Sequence, residues 1–375
     1  MNILLTNHME TTYPGGINKV VRELASSFSF KGHDIIVVQP NDSNLTDNQE
    51  YLGSKLIRVK YKYDKFLYGI KLALPSKLDY IIKEFNPHII HVHGYHSLFS
   101  HEIAWILRKG YAKIPLVFSP HFDIAGSTFA GRYAIKLLNN TIGRRIFNQS
   151  MRIITCSDFE AKKIKDIFGI KDQIISIIPH GVNRINRKSY CKLIGNKGKI
   201  NLLFSGYLIK RKGVRYILNS LYSLIYKYNF KKVSLIIIGD GPEKDNLRKI
   251  ALRLNINEYI RWLPFVEYNE LVKMIEESDF FLLLSESEAF GITIAEALTL
   301  GTPVIVTKRA ALEEFKNEPG CFLVNYPPNS NDVAKIILNS FGSKVNIGPF
   351  TSKIRLWNDV TMDYEEIYNR ILNNS

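Results

Sequence analysis

Ser285-Glu286-Ser287-Glu288-Ala289-Phe290-Gly291-Ile292-Thr293-Ile294-Ala295-Glu296-Ala297-Leu298, followed by Gly301-Thr302-Pro303-Val304, is the stretch on which the reading of this chain turns. Before it runs Phe280-Phe281-Leu282-Leu283-Leu284, an apolar pentapeptide that fits a strand buried on both faces. After it, Pro303 to Val306 has the same character. A helix is expected to begin near Gly291, so the whole reads as strand, loop, helix, strand, the repeating unit of a parallel sheet. Glu288 falls in the loop after the strand, and Glu296, past seven intervening residues, falls on the helix. The free amides of a helix start suit an anion such as phosphate. A glutamate on the otherwise apolar GITIAEALTL is costly unless partnered, which favours a ligand-binding role over an exposed helix face.

Outward from this unit the same alternation covers the chain. Strands are expected at Ile3 to Leu5, Asp34 to Val38, His88 to Val92, Leu116 to Ser119 and Arg152 to Cys156. A second set lies at Asn201 to Ser205, Ser234 to Ile238, Tyr259 to Leu263, Phe280 to Leu284 and Pro303 to Val306. Between the sets, a basic stretch dotted with glycine and asparagine at 186–199 marks a break. Two doubly wound α/β halves follow, over 1–185 and 199–356, with Trp357 to Leu372 as a closing helix. Open parallel sheets bind ligands at the carboxyl ends of their strands, so the site is expected in the cleft between the halves.

Other motifs also follow strands. Pro14-Gly15-Gly16 precedes a helical segment and lets the backbone approach an anion closely, although a plain turn has the same composition. His91-Val92-His93-Gly94 and Pro120-His121-Phe122 set imidazoles where they can orient a hydroxyl or share a proton; a structural hydrogen-bonding role is the alternative. No cysteine or carboxylate lies at ligand spacing from them, so no metal is expected. Lys210-Arg211-Lys212-Gly213 brings three cations into the loop after the first strand of the second half, suited to a diphosphate or simply to solvent. Gly239-Asp240-Gly241-Pro242 closes the next strand with a tight turn.

Composition removes several classes. With 375 residues, 46% hydrophobic and 23% charged, the chain can bury its own cores and is not disordered. Cys156, Cys191 and Cys321 are too few and too scattered for a disulfide framework or cysteine–zinc cluster, which favours a reducing compartment. No apolar run approaches a membrane span, and MNILLTNHME reads as a first strand rather than a leader. The expected location is cytoplasmic. The net charge of +15 is uneven: residues 51–250 carry 36 Lys and Arg against 12 Asp and Glu, whereas residues 251–300 carry 3 against 9. Such a field draws polyanions, or serves solubility alone.

Taken together, the motifs resemble those of the retaining glycosyltransferases of family 4. The resemblance runs from Gly15-Gly16 through His93-Gly94, His121, Cys156-Ser157, Ile178-Pro179-His180-Gly181-Val182, Lys212-Gly213 and Gly239-Asp240-Gly241-Pro242 to Glu288 and Glu296. It implies the GT-B architecture: two Rossmann-like domains facing a central cleft, with the C-terminal helix crossing back to the first. It implies transfer of a hexose-type sugar from a nucleoside-diphosphate sugar to an acceptor hydroxyl, with retention and without metal or other cofactor. Residue by residue, His121 would sit beside the anomeric carbon and Glu288 would hold the donor sugar. Gly16 would meet the diphosphate, and Lys212 would take the phosphate charge. Phe290, Gly291 and Ile292 fall to donor binding, the last two through their amides. Glu296 would bind the ribose, and His93 and Gly94 would lie on the acceptor side. The chain offers no evident nucleophile of its own, in agreement with a front-face displacement assisted by the departing phosphate. Gly206-Tyr207 stands where the family usually has Gly-Arg; Lys210 or Arg211 is expected to compensate, with Arg211 sharing the phosphate. His180 stands where asparagine is commoner.

The acceptor is expected to be a glycan or lipid-linked. Tyr61-Lys62-Tyr63-Asp64-Lys65-Phe66-Leu67-Tyr68 interleaves cations with rings. Gly131 to Arg152 sets Arg132, Lys136, Arg144 and Arg145 among aliphatics and aromatics, a composition that suits a peripheral station on an anionic inner membrane face. The same interleaving would serve single-stranded nucleic acid, but no recognised nucleic-acid motif accompanies it, so nucleic acid is not an expected partner. A catalytically silent sugar-nucleotide or glycan-binding protein is the alternative function, encouraged only by Tyr207.

Overall fold

The structure, a computed structural model, describes residues 1–7, 15–41, 46–60, 75–122, 139, 143–183 and 190–374. The stretch 61–68 and most of 131–142, with their interleaved cations and rings, lie outside the described residues, as does Pro14. The chain divides into two compact units, Met1–Gly181 with Trp357–Ser375, and Val182–Leu356.

The first unit holds an eight-stranded sheet in the spatial order Asn48–Tyr51, Ser54–Val59, Asp34–Pro40, Asn2–Thr6, Ile89–His93, Leu116–Ser119, Arg152–Thr155, Ile175–Ile177. All neighbours are parallel except the first pair, an antiparallel hairpin. Its strand order reverses between Asn2–Thr6 and Ile89–His93, the switch point at which such sheets leave a crevice. The helix Gly16–Phe30 packs through Val20, Val21, Leu24, Ala25 and Phe28, a 3.6-period stripe.

The second unit repeats the arrangement with six parallel strands ordered Ile260–Leu263, Val233–Ile238, Ile200–Ser205, Phe280–Leu283, Val304–Thr307, Cys321–Val324. Its switch point lies between Ile200–Ser205 and Phe280–Leu283. Phe280–Leu283 and Val304–Thr307 are buried throughout, as expected for strands covered on both faces. All ten strands expected from sequence form.

Further strands add to them. Asn48–Tyr51 is polar and turns through Leu52 and Gly53, both at positive φ, onto Ser54–Val59. Tyr190–Leu193, inside the stretch read as a break, pairs antiparallel with Lys344–Ile347. Neither carries the apolar continuity that marks the buried strands.

The closing helix, Trp357–Asn373, belongs to the first unit. Trp357, Val360, Thr361, Tyr364, Tyr368 and Ile371 form its buried stripe. Tyr368 tilts against Phe28 with ring centroids 5.5 Å apart, and its hydroxyl lies 2.5 Å from His91 Nδ1. Glu365 adds Lys31 and His33, at 2.5 and 2.9 Å.

Candidate active site

In the second unit, the chain leaves Ile200–Ser205 through Gly206 and the half-exposed Tyr207 into a tight turn, Lys210–Lys212. Gly213 ends that turn at φ +72°, where a Cβ would stand 1.9 Å from the Leu284 carbonyl oxygen. Only glycine permits this approach, which lays the basic loop on the end of the neighbouring strand. The Glu286 amide then donates to the Arg211 carbonyl at 2.7 Å.

That junction brings together residues 76 positions apart. Lys212 Nζ donates to Glu288 Oε1 at 2.7 Å, and Ser285 Oγ donates to the same oxygen at 2.7 Å. The Arg211 guanidinium donates to the Ser287 carbonyl at 2.9 Å. Burial alone would raise the Glu288 pKa; the charges of Lys212 and Arg211 and the two hydrogen bonds outweigh it and hold the carboxyl below its ordinary range. A buried carboxylate is thus kept ionised beside a lysine. Phe290 packs beside Phe315 at 5.4 Å, and Gly291 at φ +107° opens the helix Ile292–Thr299; a Cβ there would meet Leu312 Cδ2 at 2.8 Å. The amides of that first turn, Gly291 and Ile292 among them, are surplus to the helical ladder. Glu296 is buried on the same helix, and Tyr268 Oη donates to its Oε1 at 2.7 Å. Asp240 caps Gly241 N at 2.7 Å and pairs with Lys244 at 2.9 Å, so the Gly239–Pro242 turn is internally bonded.

In the first unit, Gly15 and Gly16 are exposed, and Gly16 is the first residue of its helix. His93 closes the strand at the switch point, its amide donating to Thr6 Oγ1 at 3.2 Å. Gly94 follows at φ +91° and donates to the Ser119 carbonyl at 2.9 Å. His93 Nδ1 and His121 Nε2 are 3.0 Å apart, with the rings stacked at 5.3 Å. His121 sits at φ +48°, a left-handed conformation that costs a non-glycine residue about 1–3 kcal/mol and concentrates at functional positions. His91 is different: it bridges Ser119 Oγ at 2.8 Å and Tyr368 in the core, and burial pushes its pKa down to about 3. It is a structural histidine. A cavity of about 840 Å³ at the amino ends of the strands, bordered by Asn2, Asp34 and Phe85, contains none of the candidate residues.

One residue escaped the sequence reading, and two that it named form a group it did not foresee. Tyr268 opens the helix after Ile260–Leu263, and its place at a strand's carboxyl end is the signal that would have found it. Cys156 and His180 join His121, with one potential ligand atom from each within 4.8 Å of the others. Spacing along the chain does not show this group, because its residues follow three strands adjacent in the sheet, Leu116–Ser119, Arg152–Thr155 and Ile175–Ile177.

Two family models match the chain: Glycosyltransferase Family 4 over residues 14–184 and Glycosyl transferases group 1 over residues 191–339. An uncharacterized glycosyltransferase of Methanocaldococcus jannaschii is 28% identical over 197 residues, which span half of each chain. The alpha-monoglucosyldiacylglycerol synthase of Streptococcus pneumoniae is 23% identical over 369 residues, 93% of this chain and 80% of that protein. Among solved structures, HepE of Anabaena in complex with UDP and glucose aligns over 98% of this chain and 99% of its own, with a TM-score of 0.72 at 15% identity.

Proposed function

On the premise that the chain belongs to the glycosyltransferases of family 4 and group 1, with the GT-B fold, we propose that it moves a hexose-type sugar from a nucleoside-diphosphate sugar to an acceptor hydroxyl with retention and without a metal. The Lys212–Glu288 pair at the switch point of the second sheet carries this reading. A departing diphosphate needs cations and amides placed before the bond breaks, because preset charges need not reorganise during the reaction. Lys212, Arg211 and the amides of Gly291 and Ile292 are such a set. Glu288, held ionised, accepts hydrogen bonds from sugar hydroxyls, and Phe290 takes part in donor binding. Glu296, aimed by Tyr268, accepts from the ribose. In the first unit Gly16 supplies an amide to the diphosphate, His121 serves the sugar beside the anomeric carbon, and His93 and Gly94 serve the acceptor. Arg211, through the same loop, takes over from the missing arginine at Tyr207. HepE supports a nucleotide-sugar donor because it was solved with UDP and glucose.

A lipid-linked acceptor met at an anionic membrane face fits the basic charge of residues 51–250 and the name of the pneumococcal relative. Trp105, exposed on the helix Leu98–Gly110 with Lys109 Nζ 4.0 Å from its ring centroid, is the kind of pair that settles among headgroups. Among the described residues, no helix is long and apolar enough to cross a membrane.

Melting with UDP, GDP, ADP and CDP in turn tests the reading, comparing the native chain with Glu296→Ala. A ligand at a hundred times its Kd stabilises by about 2.7 kcal/mol, which is measurable. One nucleotide is expected to raise the melting temperature of the native chain and not of the variant, and its sugar conjugate is then expected to turn over. Stabilisation without turnover would leave a silent binding protein.

A further inference from the structure

Three neighbouring parallel strands each deliver a metal-ligating side chain just past their carboxyl ends: His121 after Leu116–Ser119, Cys156 after Arg152–Thr155 and His180 after Ile175–Ile177. All three are buried, with one potential ligand atom from each within 4.8 Å of the others. The rings of His121 and His180 lie 5.3 Å apart at 36°, and His180 is backed by Trp357 at 6.2 Å. In a tetrahedral site with zinc–nitrogen and zinc–sulfur bonds of about 2.0 and 2.3 Å, ligand atoms stand about 3.3–3.8 Å apart. Closing this group on an ion therefore asks for side-chain shifts of about 1 Å.

The surroundings supply what a thiol needs to become a ligand. Cys156 Sγ donates to Glu160 Oε2 at 3.0 Å, and the same carboxylate accepts from the amides of Cys156 at 2.7 Å and Phe122 at 2.5 Å. When a cation takes the sulfur lone pair, the thiol proton passes along that bond to Glu160. Two imidazoles and one thiolate then hold the ion, with a fourth position left for water. This donor set suits a borderline-soft divalent cation and not Mg²⁺ or Ca²⁺, which take oxygen ligands.

We propose that His121, Cys156 and His180 form a Zn²⁺ site, and that an ion bound there withdraws His121 from sugar transfer. The second clause rests on the function proposed above; the first does not. In this scheme the ion is an inhibitor, compatible with a transfer reaction that needs no metal. It also gives His180, in place of an asparagine, a chemical consequence.

Cobalt(II) tests the site without any sugar donor, because a thiolate on Co²⁺ gives a charge-transfer band in the near ultraviolet. The full chain is used with the exposed Cys191 changed to serine, so that an accessible thiol does not contribute. One equivalent of Co²⁺ is expected to produce the band and one equivalent of Zn²⁺ to abolish it. Cys156→Ser, which keeps a hydroxyl for Glu160, should remove the band, and His180→Asn should weaken Zn²⁺ binding at least about tenfold. No band in the Cys191→Ser protein, or an equal band after Cys156→Ser, overturns the site. Should Cys156→Ser melt early, His180→Asn carries the test with the thiol in place, and unchanged affinity then overturns it. Turnover of the sugar nucleotide is measured separately in chelator and in Zn²⁺. Activity in chelator that Zn²⁺ fails to suppress, with the band present, overturns inhibition alone. No activity in chelator speaks against the transferase reading and leaves the cobalt result standing.

Discussion

The two units share a sheet plan and differ in what they put at its edge. In the second unit the switch point gathers charge: Lys212 on Glu288 and Arg211 beside it. In the first, it gathers rings: His93 on His121, with His91 and Tyr368 beneath. A parallel sheet fixes where side chains converge and leaves open what they are. Paired charges suit a leaving diphosphate, whereas imidazoles suit hydroxyls and protons, so the difference is a division of labour.

The sharpest way to break this comparison is at His121. His121→Ala should lower kcat by about 10²–10⁴, the usual range for a proton-handling side chain, while leaving the nucleotide-induced melting shift intact. A lost shift would place His121 in donor binding instead. On the charged side, Lys212→Met should lower turnover about 10²–10³-fold and, by leaving Glu288 buried without its lysine, destabilise the chain by about 3–5 kcal/mol. Adding Glu288→Gln should restore much of the stability and none of the turnover; if stability does not recover, the pair is not the source of the loss.

Acid separates the units next. Burial lowers the pKa of His91 to about 3 and of His101 to about 4, so the folded first unit keeps both neutral. The unfolded chain protonates both below about 6.5, so the stability they contribute is complete above that pH and lost as pH falls toward their folded values. At pH 5 each loss is about 2 kcal/mol. Glu288, also depressed, keeps its contribution above the ordinary carboxylate pKa and loses it only as pH falls from there toward its lower folded value. Hydrogen exchange at pH 5 against pH 7.5 should therefore show the first unit opening more readily and the second little changed. Equal loss in both would undo the distinction. The smallest effect belongs to Tyr268→Phe, which removes one hydrogen bond to Glu296 and should weaken nucleotide binding by a factor of about 2–10. No change would mean that Glu296 is positioned without it.

Much of this arrangement was readable in the chain. Runs such as Phe280–Leu283 announce a strand because a sheet covered on both faces leaves no room for polar side chains. Asn48–Tyr51 was not readable, since a polar edge strand shows only once its partner is known. Glu288 and Lys212 stood out singly, but their bond is a product of topology: the strands they follow are neighbours in space, while the two residues stand 76 positions apart in the chain. Tyr268 carries no motif spacing, and only its place past a strand's carboxyl end marks it. Cys156 and His180 were visible as family-like residues, and only the order of three strands makes them a group.

The closing helix has a consequence for the order in which the molecule is made. Trp357, Tyr364 and Tyr368 complete the core of a unit whose sheet is otherwise encoded before Gly181, and Tyr368 is the partner of His91. Residues 182–356 emerge from the ribosome in between, which at ordinary translation speed takes roughly 10–35 s. Throughout that interval the nascent first unit carries an open apolar seam along Phe28 and a His91 that has Ser119 but not yet Tyr368, and it is the second unit, synthesised later, that is free to finish first.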